Sequence, residues 1–251
     1  MCSSDLNMPL DAGNTFSPTG GLFSASNQWF VQYMIFAYKL TQHQYRAIQK
    51  QMPDWANNTR YDIEARATGN PTKDQYRLMM KSLLKERFKL TVHFQTVQAP
   101  VFALVMDKQG KLGPQLRIRQ ADQKCPISAS AGAKAGPGGF PLRCGIFLPM
   151  KASVPGRVRY GASDANMAFV ADWLMRGTGT DKPVIDETGL GQVDFVIEYS
   201  PDAPPNPKFT PDTNGPTFIE ALKDQLGLKL ISTTAPVSEI VIDHIQEPTP
   251  N

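Results

Sequence analysis

The chain has 251 residues, of which 41% are hydrophobic and 20% are charged, and its formal net charge is +3. This composition predicts one or two folded domains, since a compact domain usually spans roughly 100–200 residues. It excludes a disordered chain, a collagen and a coiled coil as overall descriptions. No apolar run approaches the ~20 residues that a membrane-spanning helix needs, so we expect no membrane span.

The positive charge is small and is spread along the chain. The densest basic stretches are residues 81–89 and 117–124, and acidic residues interrupt both. A nucleic-acid-binding protein usually gathers its Lys and Arg residues on one face or in one run. We therefore predict no nucleic-acid partner, and we interpret these stretches as a solvated helix face and a solvated linker.

Two of the three cysteines, Cys125 and Cys144, bracket a loop rich in Gly, Ala, Ser and Pro. A disulfide between them would add roughly 3 kcal/mol of stability in the chain-entropy model. It would form only in an oxidising compartment, and two unpaired thiols in a cytosolic loop are the alternative that the spacing leaves open. Neither cysteine belongs to a CxxC motif or lies near a histidine cluster, so we predict no metal site and no redox site.

The first six residues, Met-Cys-Ser-Ser-Asp-Leu, fit nothing that follows and have the look of a non-native remnant. We therefore leave residues 1–6 out of the fold prediction and treat Cys2 as accidental. On this interpretation the true amino terminus, with any signal peptide, is missing.

Five short segments recur in the same order in the two halves of the chain, which predicts an internal duplication. The matching pairs are residues 23–27 with 160–164, 61–64 with 193–196, 88–90 with 228–230, 99–101 with 235–237, and 104–107 with 240–243. We assign the first repeat to residues 16–108, a linker rich in Gly and Pro to 109–156, and the second repeat to 157–248.

Each repeat is expected to contain two amphipathic helices. We predict that Asn27 and Asp164 cap the first helix of each repeat, because a short side-chain oxygen accepts a hydrogen bond from the first turn. The second helices are predicted to begin at Asn70 and at Thr217, where a capping box with Glu220 is present. The last helix is expected to end at Gly227.

Short runs of aliphatic and aromatic residues, among them 88–90 and 228–230, predict strands, with weaker strands at 45–49 and 182–186. Each repeat then follows the order β-α-β-β-α-β-β. Because the helices have one apolar face and the strands alternate only partly, we predict an α+β fold with helices packed on mixed sheets.

No motif for catalysis or metal binding is present. The three histidines, His43, His93 and His244, form no HExxH or HxxxH spacing for zinc, and the sequence has no GxSxG motif of a hydrolase. We expect His43 near a helix end whose dipole suits a positive charge, and the acidic pair Asp186 and Glu187 in solvent. Trp29 and Trp173 are expected in the core, on corresponding helices. We predict no catalytic residue, no cofactor and no metal.

Residues 61–65, 75–90, 183–190, 222–230 and 241–244 resemble a bacterial family of unknown function that is expanded in acidobacteria, of the Solibacter type. The resemblance covers about 16–248 and implies an exported protein of the cell envelope. Some members are joined to a membrane metallopeptidase of the antibiotic-sensor type, whose metal motif this chain lacks. Each half is also similar to the short amino-terminal domain of secretins and TonB-dependent receptors, which are periplasmic signalling or docking modules.

Together these features predict a periplasmic or extracellular binding or sensory module without catalytic activity. An envelope protein or peptide could bind it by adding a strand to an exposed sheet edge. The alternative is an enzyme, such as a hydrolase, with an unrecognised active site in the groove between the repeats. A purely structural or assembly role is a third possibility.

Overall fold

The computed structural model describes residues 10, 19–120, 136–142, 144–175, 182–203 and 205–249, and it has an α+β fold. The described helices are α1 (Phe30–Tyr38), α2 (Gln42–Gln49), α3 (Asp54–Asn58), α4 (Lys73–Phe88), α5 (Met167–Leu174) and α6 (Phe218–Leu226). The described strands are β1 (Leu22–Trp29), β2 (Arg60–Arg66), β3 (Thr91–Met106), β4 (Leu116–Ile118), β5 (Phe147–Met150), β6 (Val158–Asn166), β7 (Val184–Asp186), β8 (Gln192–Tyr199) and β9 (Leu228–His244). None of these helices is long and apolar enough to cross a membrane.

The described strands form three sheets. β1 and β2 make an antiparallel pair, the second sheet has the order β7-β3-β9, and the third has the order β4-β8-β6-β5. Two strands of the third sheet, β4 and β5, come from residues 109–156. The described parts of that stretch therefore contribute to a sheet, although its composition predicts a linker.

The chain divides into two compact units. Unit 1 consists of Met1–Ala99 together with Pro236–Asn251, and unit 2 consists of Pro100–Ala235. The core of unit 1 includes buried side chains of α1 and α4 and also Ile240 near the carboxyl terminus. The core of unit 2 is built from α5, α6 and the inner face of β8, where Phe195 is fully buried. Residues 236–248 thus pack in unit 1, while the sequence repeat places them at the end of the second repeat.

Two predicted strand assignments are wrong. Residues 45–49 lie in α2, because Thr41 and Gln44 form a capping box that starts a helix there. Phe88 is the last residue of α4 and Lys89 is its left-handed C-cap, so residues 88–90 are a helix end instead of a strand. Where two strands are predicted after each of these helices, the structure has one long strand: β3 follows α4, and β9 follows α6. The strand predicted at 182–186 is confirmed as β7.

Three of the four predicted helix starts are wrong by two residues. The caps are Trp29 for α1, Thr72 for α4 and Asn166 for α5. Asn27 and Asp164 lie inside β1 and β6, where their φ angles are 57° and 52°. Short polar side chains tolerate this left-handed conformation, and the same property suits a strand irregularity as well as a cap. The capping box of Thr217 and the end of α6 at Gly227 are confirmed.

Asn27 and Asp164 mark matching irregularities in the two units. The register of β1 against β2 shifts between Ala25 and Gln28, and that of β6 against β8 shifts between Ala162 and Ala165. In both cases a carboxylate of the neighbouring strand accepts the N–H of the left-handed residue; this carboxylate belongs to Asp62 in unit 1 and Asp194 in unit 2. An internal duplication would produce this correspondence, and the duplication itself stays a prediction.

Candidate binding groove in unit 1

A groove runs between β2 and α4 in unit 1. It consists of a cavity of about 440 Å³ beside the end of α4 and an adjoining apolar pocket of about 130 Å³ beside its middle. The larger cavity is lined by Thr59, Tyr61, Asp62, Ile63, Glu64, Leu83, Arg87, Phe88, Glu247, Pro248 and Thr249. We call this region the β2–α4 groove.

One edge of β2 borders the groove. Among the described strands, β2 pairs only with β1. The N–H of Ala67 donates to the carbonyl of Gly21, at 2.9 Å, which sets the alternation of the ladder. In an antiparallel pair every second residue turns its N–H and C=O towards the partner, so those of Asp62, Glu64 and Arg66 point to the other side. An additional strand could pair with β2 at this edge.

The part of the groove between the inner face of β2 and the middle of α4 is apolar. Ile63 and Ala65 face α4 from β2, and Met79, Met80 and Leu83 line the smaller pocket from the helix. Met79 is 41% exposed. The unbranched, polarizable side chain of methionine adapts to ligands of different shapes, so this wall suits a bound apolar side chain.

The larger cavity carries mainly negative charge. The carboxylates of Asp62, Glu64 and Glu247 line it together with one guanidinium, that of Arg87. Burial raises the pKa of Tyr61, and the Glu247 carboxylate raises it further, while a hydrogen bond with Thr59 acts in the opposite direction. This end of the groove therefore favours a ligand with positive charge.

The equivalent edge in unit 2 is occupied by the chain itself. There β4 pairs antiparallel with β8, and the N–H of Val196 donates to the carbonyl of Gln115 at 3.0 Å. The side chain of Gln225 on α6 bonds both the N–H and the C=O of Glu198, at 2.9 and 2.7 Å. Val196 and Glu198 correspond in the predicted repeat to Glu64 and Arg66, so unit 2 satisfies an edge that no described strand covers in unit 1.

Buried ion pairs hold β4 in place. Asp194 is fully buried, and its carboxylate lies 2.7 Å from a nitrogen of Arg117 and 3.0 Å from a nitrogen of Arg119. Burial alone would raise the pKa of Asp194, but the Asp164 N–H and the two guanidiniums outweigh it and hold that pKa below its usual range. Both arginines lie at β4, but only Arg119 is buried, so the prediction that residues 117–124 are simply a solvated linker is wrong for Arg119, whereas the side chain of Arg117 is 46% exposed. Sequence reasoning missed them because their acidic partner lies about 75 residues away.

The histidines considered as candidates for catalysis or metal binding do not come together in one site among the described residues. His93 Nδ1 lies 2.7 Å from the Asp243 carboxylate, and both side chains are about half exposed. The sequence predicts His43 near a helix end whose dipole suits a positive charge. It is instead the second residue of α2, at the positive end of the helix dipole, so this expectation is wrong. No three His, Cys, Asp or Glu side chains of the described residues gather as metal ligands.

The acidic and aromatic residues have local structural roles. The Asp186 carboxylate accepts hydrogen bonds from the Thr188 N–H and hydroxyl at 2.9 and 2.7 Å. Trp29 ends β1, is 36% exposed, and carries the guanidinium of Arg60 over its ring at 4.0 Å. The expectation that Trp29 lies in the core on a helix is wrong, whereas Trp173 lies on α5 and stacks on the ring of Phe147.

Cys125 lies outside the described residues. Cys144 is half-buried, and its backbone pairs with that of Ser163 on β6 in an isolated parallel β-bridge. The pairing of Cys125 with Cys144 therefore stays a prediction. The predicted remnant at residues 1–6 also lies outside the described residues.

A comparison with protein-family models finds one family, described as a protein of unknown function (DUF3738), whose model matches residues 31–245. No curated protein and no solved structure matches the chain. The family match covers most of the described part of both units. The chain belongs to the DUF3738 family.

Proposed function

We propose that this member of the DUF3738 family is a non-catalytic docking module that binds an extended peptide segment in the β2–α4 groove. The bound segment adds to β2 as a further strand, and its apolar side chains contact α4. Main-chain hydrogen bonds supply affinity in this mode, and the side-chain pockets supply specificity.

The observation that carries this proposal is the difference between the two equivalent edges. In unit 2 the edge of β8 is paired with β4, whose hydrogen bonds include those to Val196 and Gln192. In unit 1 the same edge of β2 borders a cavity of about 440 Å³. A strand in that cavity would give unit 1 the arrangement that unit 2 already has.

The alternation of β2 also supports strand addition. The residues that point their backbone groups into the groove carry the charged side chains of Asp62, Glu64 and Arg66. Charged side chains on an edge strand reduce unselective pairing with other chains. A partner that neutralises them can still add to the edge, which makes the binding selective.

The decisive experiment selects peptides from a random display library against the protein. Selected peptides are then measured on two variants, Glu64→Pro and the matched control Glu64→Ala. Proline removes the N–H that points into the groove and leaves the ladder with β1 intact. We expect Glu64→Ala to retain binding and Glu64→Pro to lose about tenfold or more.

Two results would overturn the proposal. Equal binding to both Glu64 variants would show that peptides bind elsewhere, provided circular dichroism shows that both variants are folded. Hydrolysis of the selected peptides, seen by mass spectrometry, would favour the enzyme alternative over a docking module.

We further propose that the module works outside the cytoplasm, with Cys125 and Cys144 joined. The two cysteines bracket the stretch between them, and a disulfide would close that stretch into a loop. Peptide mapping of protein secreted to an oxidising compartment should find the linked pair, and reduction should lower the unfolding midpoint. Two alkylated thiols in that material would contradict both the bridge and the extracytoplasmic location.

A further inference from the structure

Resting on the proposed function, we infer the chemistry and direction of the bound segment. It runs antiparallel to β2, places an apolar residue opposite Ile63, and places one basic residue opposite Asp62. A neutral residue follows two positions after the basic one. The segment β4 of this same chain shows how such a strand sits on the equivalent edge.

The register follows from the repeat. β4 pairs with β8 so that Leu116 lies opposite Phe195 and Arg117 lies opposite Asp194. Since Phe195 and Asp194 correspond to Ile63 and Asp62, a strand bound in the same register aligns its apolar and basic residues with those two positions. Antiparallel pairing then places the amino terminus of the bound strand beside Arg66 and its carboxyl terminus beside Arg60.

The apolar preference comes from the face of β2 that is turned to α4. Leu116 is 4% exposed and belongs to the core of unit 2. The equivalent place in unit 1 lies between Ile63 and the helix residues Met80 and Leu83, which line a pocket of about 130 Å³. One medium-sized apolar side chain is therefore expected at this position of the ligand.

The basic residue is selected by Asp62. One oxygen of the Asp62 carboxylate accepts the N–H of Asn27, as Asp194 accepts the N–H of Asp164. Asp194 additionally holds Arg117 and Arg119, but the carboxyl group of Asp62 is exposed. A ligand strand can supply the missing cation, and the carboxylates of Glu64 and Glu247 add to the attraction.

A second basic residue is disfavoured because the surroundings differ. Arg119 in unit 2 lies 3.7 Å from the carboxylate of Asp164 as well as beside Asp194. In unit 1 the residue equivalent to Asp164 is the neutral Asn27, whose carbonyl already accepts a hydrogen bond from Arg60 at 3.2 Å. The guanidinium of Arg60 would repel a cation there.

The test uses a synthetic peptide with the sequence of residues 113–119, Gly-Pro-Gln-Leu-Arg-Ile-Arg, labelled for fluorescence anisotropy. We expect Arg117→Ala in the peptide to weaken binding about tenfold, and Arg119→Ala to leave the affinity unchanged or to raise it, because it removes a cation that Arg60 repels. Leu116→Asp in the peptide should abolish detectable binding, since it places a charge against the apolar wall.

The protein variant Asp62→Asn checks the pairing, because asparagine keeps an oxygen for the Asn27 N–H and loses the charge. On this variant the unsubstituted peptide and the peptide with Arg117→Ala should bind within about twofold of each other, as expected when a mutation removes the coupled partner. A nitroxide on the peptide's amino terminus should broaden the amide signals of Arg66 and Ala67 more than those of Thr59 and Arg60.

Several outcomes would overturn this inference. The inferred preference for one basic residue would be wrong if Arg117→Ala and Arg119→Ala in the peptide lowered the affinity equally. It would also be wrong if Arg117→Ala still weakened binding to the Asp62→Asn protein. Broadening centred on Thr59 would reverse the strand direction. In all these cases the proposed function stands if Glu64→Pro still blocks the peptide, and it fails if that variant binds normally. Dimers that dissociate in Glu64→Pro would identify a second copy as the occupant instead.

Discussion

Strands β2 and β8 are matched in the predicted repeat but differ along their outer edges. β8 is covered by β4, and its Asp194 is fully buried and forms ion pairs with Arg117 and Arg119. β2 borders an open groove, and its Asp62 is exposed. The difference teaches that one supersecondary unit can either satisfy its edge with its own chain or leave it available to a ligand. Under the proposed function, the same residue type serves stability in one unit and recognition in the other.

The largest contrast is expected between the two aspartates. Asp194→Ala removes the buried carboxylate that both Arg117 and the buried Arg119 contact, and it should lower the free energy of unfolding by about 3–5 kcal/mol. Asp62→Ala removes one hydrogen bond at an exposed site and should lower it by about 1 kcal/mol or less. Denaturant titration of both variants checks this, and equal losses would contradict the distinction between the edges.

Proline at equivalent positions gives the next contrast. Val196→Pro removes the N–H that the carbonyl of Gln115 accepts and should lower the free energy of unfolding by about 2–3 kcal/mol, since β8 is paired on both sides and proline is poorly tolerated in such a strand. Glu64→Pro should change it by less than about 1 kcal/mol, because its N–H points into the groove. A large loss of stability in Glu64→Pro would mean that the edge of β2 is covered in solution.

The C-terminal ends of α6 and α4, which are matched in the predicted repeat, give a third contrast. Gly227→Ala should lower the free energy of unfolding by about 2 kcal/mol, because its φ is 72° and a Cβ would lie 2.6 Å from the Gly113 nitrogen. Lys89→Gly should raise it by about 0.5 kcal/mol, since Lys89 has a left-handed φ of 51°. Thermal unfolding of both variants decides between these signs, and a loss in Lys89→Gly would contradict the argument.

Acid is the mildest perturbation, because protonation removes the charge of Asp194 and keeps the carboxyl group. The folded-state pKa of Asp194 lies below its unfolded value, so its stabilising contribution is complete above that unfolded value of about 3.9. The contribution is lost as the pH falls towards the folded-state pKa. Asp194→Asn should therefore flatten the decline in stability below about pH 4, relative to Asp62→Asn. Parallel curves for the two variants would contradict the assignment.

Sequence reasoning recovered the α+β class and the capping box at Thr217, because these depend on residues close together in the chain. It misplaced the caps at Asn27 and Asp164, because a residue that tolerates a left-handed φ suits a strand irregularity equally well. It could not find the groove, since the open edge of β2 depends on which distant strands pair. The arginines of β4 were missed for the same reason.

The division of the chain between the units also has a consequence for synthesis. Unit 1 takes its first 99 residues from one end of the chain and completes its core with Ile240 from the other. The side chains of Gln44 and Gln51 likewise bond the backbone of Ser238 and Ile240, at 2.9 and 3.1 Å. Contacts so distant in sequence are slow to form, because the intervening chain must first be closed into a loop. On the ribosome, unit 2 can therefore fold before unit 1, and the β2–α4 groove is complete only after residues 247–249, which line it, have emerged.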